Sequence, residues 1–122
     1  MGRVPIIDAM APPLEAHLNA RRNDVTALCR AHGVSRLEVF GSAADGRFVP
    51  GRSDYDFIAR FDARGEPSLG RRFVAFAEAL EGLLGRPVDL MTDHPIENPY
   101  LRRAIDASRQ LVFSDEAAET SV

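Results

Sequence analysis

Apolar residues recur at helical spacing along residues 14–32. Leu14, Leu18, Val25, Leu28 and Cys29 form one stripe, with Arg21 and Arg22 outside it. Asn23 can cap a second segment, so the stretch predicts one helix or two. Gly33 stands where a helix C-terminus favours glycine. Residues 36–40 alternate and end at a glycine, the pattern of a strand. Residues 41–53 contain Gly41, Gly46, Pro50 and Gly51 and read as a loop. Residues 54–61 alternate again. Tyr55, Phe57, Ala59 and Phe61 share one face, and Asp54, Asp56, Ile58 and Arg60 the other.

The second half repeats the theme. Leu69, Phe73, Phe76, Leu80 and Leu83 step by four and three, which predicts a helix over 68–84 with Pro67 at its start and Gly85 at its end. Residues 87–91 predict a short strand with Val88 and Leu90 on one face and Asp89 on the other. Asn98 and Pro99 are a cap and a first helical residue, so 98–108 predicts a helix with Leu101 and Ile105 on one side. Residues 110–113 suit a last strand. The order predicts an α+β fold, a small mixed sheet with helices packed against it. One domain over 14–113 is expected, with an irregular leader over 1–13 and an acidic, disordered tail over 114–122.

Composition sharpens this picture. The 122 residues are 45% apolar and 27% charged, which suits one folded core. No apolar run reaches the length of a membrane span, and no secretory pattern opens the chain. One cysteine, Cys29, fits a reducing cytosol. The net charge of −3 resides in the tail, so the body is near neutral and no basic nucleic-acid footprint is expected. Every basic residue besides histidine is arginine, which excludes lysine-dependent chemistry. His17, His32 and His94 lack zinc-site spacing. His32 is expected to complement a helix end, and Cys29 to be buried. Arg102 and Arg103 suit a solvated helix face.

Three features carry candidate chemistry. Asp54 and Asp56 project to one side of a predicted strand, and two such carboxylates repel unless a cation sits between them. Hard oxygen donors suit Mg²⁺. Asp89 interrupts an apolar strand, and if that strand lies beside 54–61 three carboxylates meet, the donor set for two-metal phosphoryl transfer. Phe40-Gly41-Ser42, closed by Gly46, can bring backbone N–H groups to an anion. Each feature alone has an ordinary explanation: solvated aspartates, an edge-strand charge, a glycine-rich connection. Gly46 is followed by Arg47-Phe48 where a P-loop needs Lys-Ser or Lys-Thr, so a P-loop NTPase is excluded.

Together, Phe40-Gly41-Ser42, a spacer, Asp54-Tyr55-Asp56-Phe57 and the later Asp89 resemble the nucleotidyltransferases of the DNA polymerase beta superfamily. Gly-Ser-Ala-Ala-Asp-Gly, Arg-Ser-Asp-Tyr-Asp-Phe, Val-Asp-Leu-Met and Asn-Pro-Tyr-Leu-Arg-Arg-Ala-Ile resemble its minimal nucleotidyltransferases (MNT). The resemblance implies Asp54, Asp56 and Asp89 as catalytic, Mg²⁺-binding residues. Gly41, Ser42 and Gly46 would bind the phosphates of ATP. It also implies AMP transfer to a hydroxyl, often a tyrosine, of a HEPN-domain toxin, with this chain as the cytoplasmic antitoxin. Asp45 departs from the family pattern, where Arg often precedes the second glycine. Arg47 and Arg52 are the candidate compensating charges. Two rivals follow: a module that neutralises its partner by contact alone, and a transferase acting on a small molecule.

Overall fold

The 14–32 stretch folds as two helices, because the chain leaves helical geometry at Arg21 (φ −104°, ψ 16°), which ends one and begins the next. In this computed structural model, which describes residues 13–63, 68–93 and 96–115, α1 spans Ala16–Ala20 and α2 spans Arg22–His32. Asn23 does not cap: it lies inside α2. The cap of α1 is Glu15, whose carboxylate accepts the His17 and Leu18 amides at 3.0 and 2.9 Å. Most of the leader, Pro67, His94 and the tail beyond Asp115 lie outside the described residues.

Strand β1 runs Val34–Phe40, β2 Tyr55–Phe61, β3 Val88–Thr92 and β4 Gln110–Ser114. The segment between β1 and β2 is more than a loop. It opens with a single helical turn, α3 (Ser42–Asp45), closed by the Ala44 and Asp45 amides on the Gly41 carbonyl at 2.9 and 3.1 Å. Two alanines make this turn buriable, and glycine at each end supplies the left-handed φ it needs. Helices α4 (Leu69–Leu84) and α5 (Pro99–Ser108) are capped by Ser68 and Asn98, and Gly85 ends α4 at φ 71°.

The sheet order is β3-β2-β1-β4. β1 is antiparallel to β2 and to β4, whereas β2 and β3 are parallel. A parallel neighbour requires a crossover, and α4 supplies it. Leu18, Val25, Cys29, Leu37, Val39, Tyr55, Phe57, Phe76 and Leu80 form the heart of the core, fully or almost fully buried. Cys29 is inert there, its thiol pushed up to about 12 chiefly by burial.

Two patterns differ from the sequence expectation. The buried face of α4 is Arg72, Phe76, Leu80 and Leu84, rotated from the predicted stripe, and Leu69 is 47% exposed. A charged residue occupies that face because its hydrogen bonds are met there. The Arg72 guanidinium donates to Asp62 Oδ1 (3.2 Å), the Asp62 carbonyl (3.1 Å), and the His32 and Gly33 carbonyls (each 3.4 Å). Ile58, expected on the polar face of β2, is buried, as is Ile105 of α5. Neither belongs to the main core cluster, so the face of β2 that carries Ile58 is covered as well. Leu101, paired with Ile105 in the sequence reading, is largely exposed.

Candidate active site

Asp56 lies in β2 directly opposite Asp89 in β3. In parallel strands, residues in register project to the same face, so these two carboxylates are neighbours. Asp54 lies one residue before β2, so it is not held by the strand itself. The Tyr55 amide pins this entrance by donating to the Pro87 carbonyl at 3.1 Å. The three acids feel one another. The Asp56 carboxyl is pushed up to about 6 by burial first, then by Asp89 and by Asp54.

Gly41 closes the site from β1. Phe40 pairs with Asp56 across the ladder, which brings the next residue against the carboxylate. A Cβ on Gly41 would meet Asp56 Oδ2 at 2.7 Å, and the backbone there has φ +75°. Both facts demand glycine. Ser42 follows at the head of α3, half-buried, and Gly46 ends that turn at φ 88°. A cleft of about 330 Å³ opens beside Ser42 and Gly46, walled by Leu14, Phe48 and Pro50.

The charged residues of the loop divide. Arg47 is bound to Asp45, with Nη2 at 2.6 Å and Nε at 2.9 Å from Oδ2, and its amide lies 3.1 Å from Oδ1. Hydrogen bonding to Arg47 holds the Asp45 carboxyl below its ordinary range. The acid that departs from the family pattern is thus already neutralised. Arg52 is exposed in the turn before β2, where its amide donates to the Val49 carbonyl at 3.0 Å.

Several residues at the site were not anticipated. The Gly41 amide donates to Ser108 Oγ at 2.8 Å, so the last residue of α5 holds the glycine. Gln110 donates to the Ala44 carbonyl and ties β4 to α3. Arg109 bridges Glu38 (2.6 Å) and Asp106 (2.8 Å) between them. Tyr55 OH donates to Glu15, linking α1 to β2. Arg86 Nη2 lies 3.1 Å from Asp54 Oδ1. Only Arg86 left a signal in the sequence, as a cation in the turn before the Asp89 strand. Apart from the local Arg109–Asp106 pair, all of these contacts, including that of Arg86, join residues distant in sequence.

The donor set suits a hard divalent cation: three carboxylates, one of them disfavoured as an anion by its neighbours. Among the described residues no three His, Cys, Asp or Glu side chains yet close on a single point. Asp54, engaged by Arg86, is the carboxylate with an alternative partner.

A mixed sheet that brings two in-register aspartates and a third beside a Gly-Ser turn is the frame of a polymerase-beta-type nucleotidyltransferase. The chain belongs to the nucleotidyltransferase domain family, whose model matches residues 22–112, and is a nucleotidyltransferase. It is 37% identical over 73 residues to a Methanocaldococcus jannaschii protein provisionally named a protein adenylyltransferase, covering 60% of this chain and 71% of that one. A solved structure of a provisional minimal nucleotidyltransferase matches with TM-score 0.59 and 34% identity, over 76% of this chain and 90% of that one. More distant structures share the fold alone. One is a toxin–antitoxin with AMP-PNP (TM-score 0.58, 16% identity, 81% of this chain and 77% of that one). Another is a tri-AMPylated Shewanella oneidensis HEPN toxin in complex with an MNT antitoxin (TM-score 0.53, 14% identity, 84% and 76%).

Proposed function

We propose that this nucleotidyltransferase moves AMP from ATP to a hydroxyl of a partner protein, the partner being a HEPN-domain toxin and the acceptor a tyrosine, and so acts as a cytoplasmic antitoxin. The observation that carries the reading is the register of Asp56 with Asp89 beside Gly41. The relative named as a protein adenylyltransferase supports AMP transfer. The neighbouring MNT–HEPN complex supports the choice of partner.

The chain's own residues have distinct tasks in this reading. Gly41, with no side chain, lets the phosphates approach the carboxylates, and Ser42 offers a hydroxyl donor at the head of α3. Gly46 shapes the turn, and Arg52, exposed in the turn before β2, would be available to a triphosphate from solvent. Arg47 acts on the phosphates indirectly, by cancelling Asp45. Asp54, Asp56 and Asp89 would hold Mg²⁺, which supplies charge neutralisation at the α-phosphate and at the leaving oxygens. Asp89, the most exposed of the in-register pair, orients the acceptor hydroxyl and takes its proton. The acceptor oxygen bonds to the α-phosphorus, the bond to the bridging oxygen breaks, and pyrophosphate leaves. The contact-only reading drew its force from Asp45, whose charge Arg47 partly offsets.

ATP labelled at the α-phosphate, incubated with Mg²⁺, the protein and lysate of its host, tests this. The expected result is a covalently labelled protein band that is absent with γ-labelled ATP and absent with the Asp54→Asn/Asp56→Asn variant. A band that persists in the variant would overturn the assignment of the carboxylates. ATP binding without any labelled band would turn the reading towards contact inhibition or a small-molecule acceptor.

A further inference from the structure

Asp54 has a partner that nucleotidyl transfer does not require. Arg86 stands in the turn between α4 and β3. Its Nε donates to the Ser53 carbonyl at 2.9 Å, and its Nη2 reaches Asp54 Oδ1 at 3.1 Å. One guanidinium thus grips the main chain and the carboxylate together. The turn that delivers it is fixed on both sides: the Gly85 amide donates to the Glu81 carbonyl at 2.8 Å, and the Pro87 carbonyl receives the Tyr55 amide at 3.1 Å. The Arg86 side chain is 28% exposed and that of Asp54 54%. The arginine is the more buried member, and the aspartate, one residue before the strand, the more exposed one.

The neighbourhood gives this pair a consequence. Asp54, Asp56 and Asp89 place negative charge at one end of the β2–β3 pair, and such charge opposes itself without a cation. Arg86 supplies a fixed positive charge at that end. It also occupies Oδ1 of Asp54, a lone-pair donor that a divalent cation would use. An arginine guanidinium is always charged and holds carboxylates through hydrogen bonds, whereas a metal replaces those bonds with direct coordination.

We propose that Arg86 is the resident counter-cation of the carboxylate cluster, a positioning residue that holds Asp54 until a divalent cation displaces it, and that it thereby sets how tightly the site takes that cation. The inference rests on the reading that the three aspartates bind metal. Its cost to affinity is that of an exposed charge pair, which is small and screened by salt. Its benefit is that the cation-free site carries less unbalanced negative charge and keeps Asp54 beside its place.

The test uses Mn²⁺ alone as the probe, without nucleotide, with free Mn²⁺ read by electron paramagnetic resonance at low ionic strength. The full chain is compared with Arg86→Gln, which removes the charge but keeps a donor for the Ser53 carbonyl. The expected result is Mn²⁺ bound about two- to fivefold tighter by Arg86→Gln, with the difference shrinking in roughly 0.5 M salt. In an Asp54→Asn background the same Arg86 change should give a smaller gain, because the pair is already broken. A purely structural tie would loosen the site when cut, so equal or weaker binding by folded Arg86→Gln overturns the inference. If that same experiment shows wild-type binding that falls in Asp54→Asn, the metal reading survives the loss. No Mn²⁺ binding by either protein overturns both. Should Arg86→Gln fail to fold, Arg86→Met is read instead: it removes the charge and keeps the aliphatic length of the side chain. Tighter Mn²⁺ binding than wild type then supports the inference, and unchanged or weaker binding overturns it.

Discussion

Asp56 is held in a position that favours its neutral form. It is half-buried, it faces Asp89 in register, and Gly41 packs against its oxygen. Its folded pKa of about 6 lies above the ordinary carboxylate range. The native state therefore binds this proton more tightly than the unfolded chain, and stability must fall as pH rises from about 4 to about 6. Thermal melts without divalent cation should show that downward slope. Asp56→Asn should flatten it and raise the melting temperature at neutral pH while abolishing transfer, and a wild-type melting temperature that climbs through this window would contradict the account. Gly41→Ala faces two penalties, the positive φ and the 2.7 Å approach of its new Cβ to Asp56 Oδ2. It should cost about 2 kcal/mol or more in urea unfolding, and an unchanged midpoint would refute that. At this scale the sequence was informative where chemistry is written as spacing. Asp54, Asp56, Asp89 and Gly41 could be picked out from alternation and a glycine after a strand. Ser108 and Arg86 could not be assigned their contacts, because nothing local in a sequence says which distant atom a hydroxyl or a guanidinium will reach.

Helix α4 and helix α5 show what pattern reading resolves about an element. The period of α4 was legible and its phase was not, since Arg72 counts as polar until its partners are known. Arg72 joins α4 to the end of α2 through the His32 and Gly33 carbonyls and to Asp62 beyond β2. Arg72→Ala leaves those buried acceptors without their donor and should destabilise the fold by about 2–4 kcal/mol, measured by chemical denaturation. A loss below about 0.5 kcal/mol would mean that these bonds contribute nothing net. Helix α5 acts on the site from its last residue. Ser108 Oγ accepts the Gly41 amide at 2.8 Å and donates to the Ala104 carbonyl at 3.4 Å, so its hydroxyl is oriented by its own helix. Ser108→Ala should raise KM for ATP roughly three- to tenfold with a smaller change in kcat, and Ser108→Thr should restore it, as expected for a loop displaced by the loss of about one kcal/mol of hydrogen bonding. Unchanged kinetics in the alanine variant would remove Ser108 from the site. The single turn of α3 was hidden for a related reason. Four residues carry no period, and only the Gly41 carbonyl, which takes two amides, distinguishes that turn from loop.

At the scale of the whole molecule, the element order was legible and the strand order was not. Alternation and capping signals locate helices and strands one by one. That β3 pairs with β2 in parallel, rather than with β4, is decided by α4 crossing the sheet and burying Phe76 and Leu80. This one choice brings Asp89 into register with Asp56. Among the described residues no helix is long and apolar enough to cross a membrane. The central claim is that the three aspartates perform AMP transfer as a unit, and it is tested most directly by the intact mass of the proposed HEPN-domain partner after co-expression. With the wild-type chain the partner should gain whole AMP units. With Asp54→Asn, Asp56→Asn or Asp89→Asn, each shown to be folded, it should gain none. A partner that is neutralised yet unmodified by the wild-type chain, or modified equally by all three variants, would contradict the account.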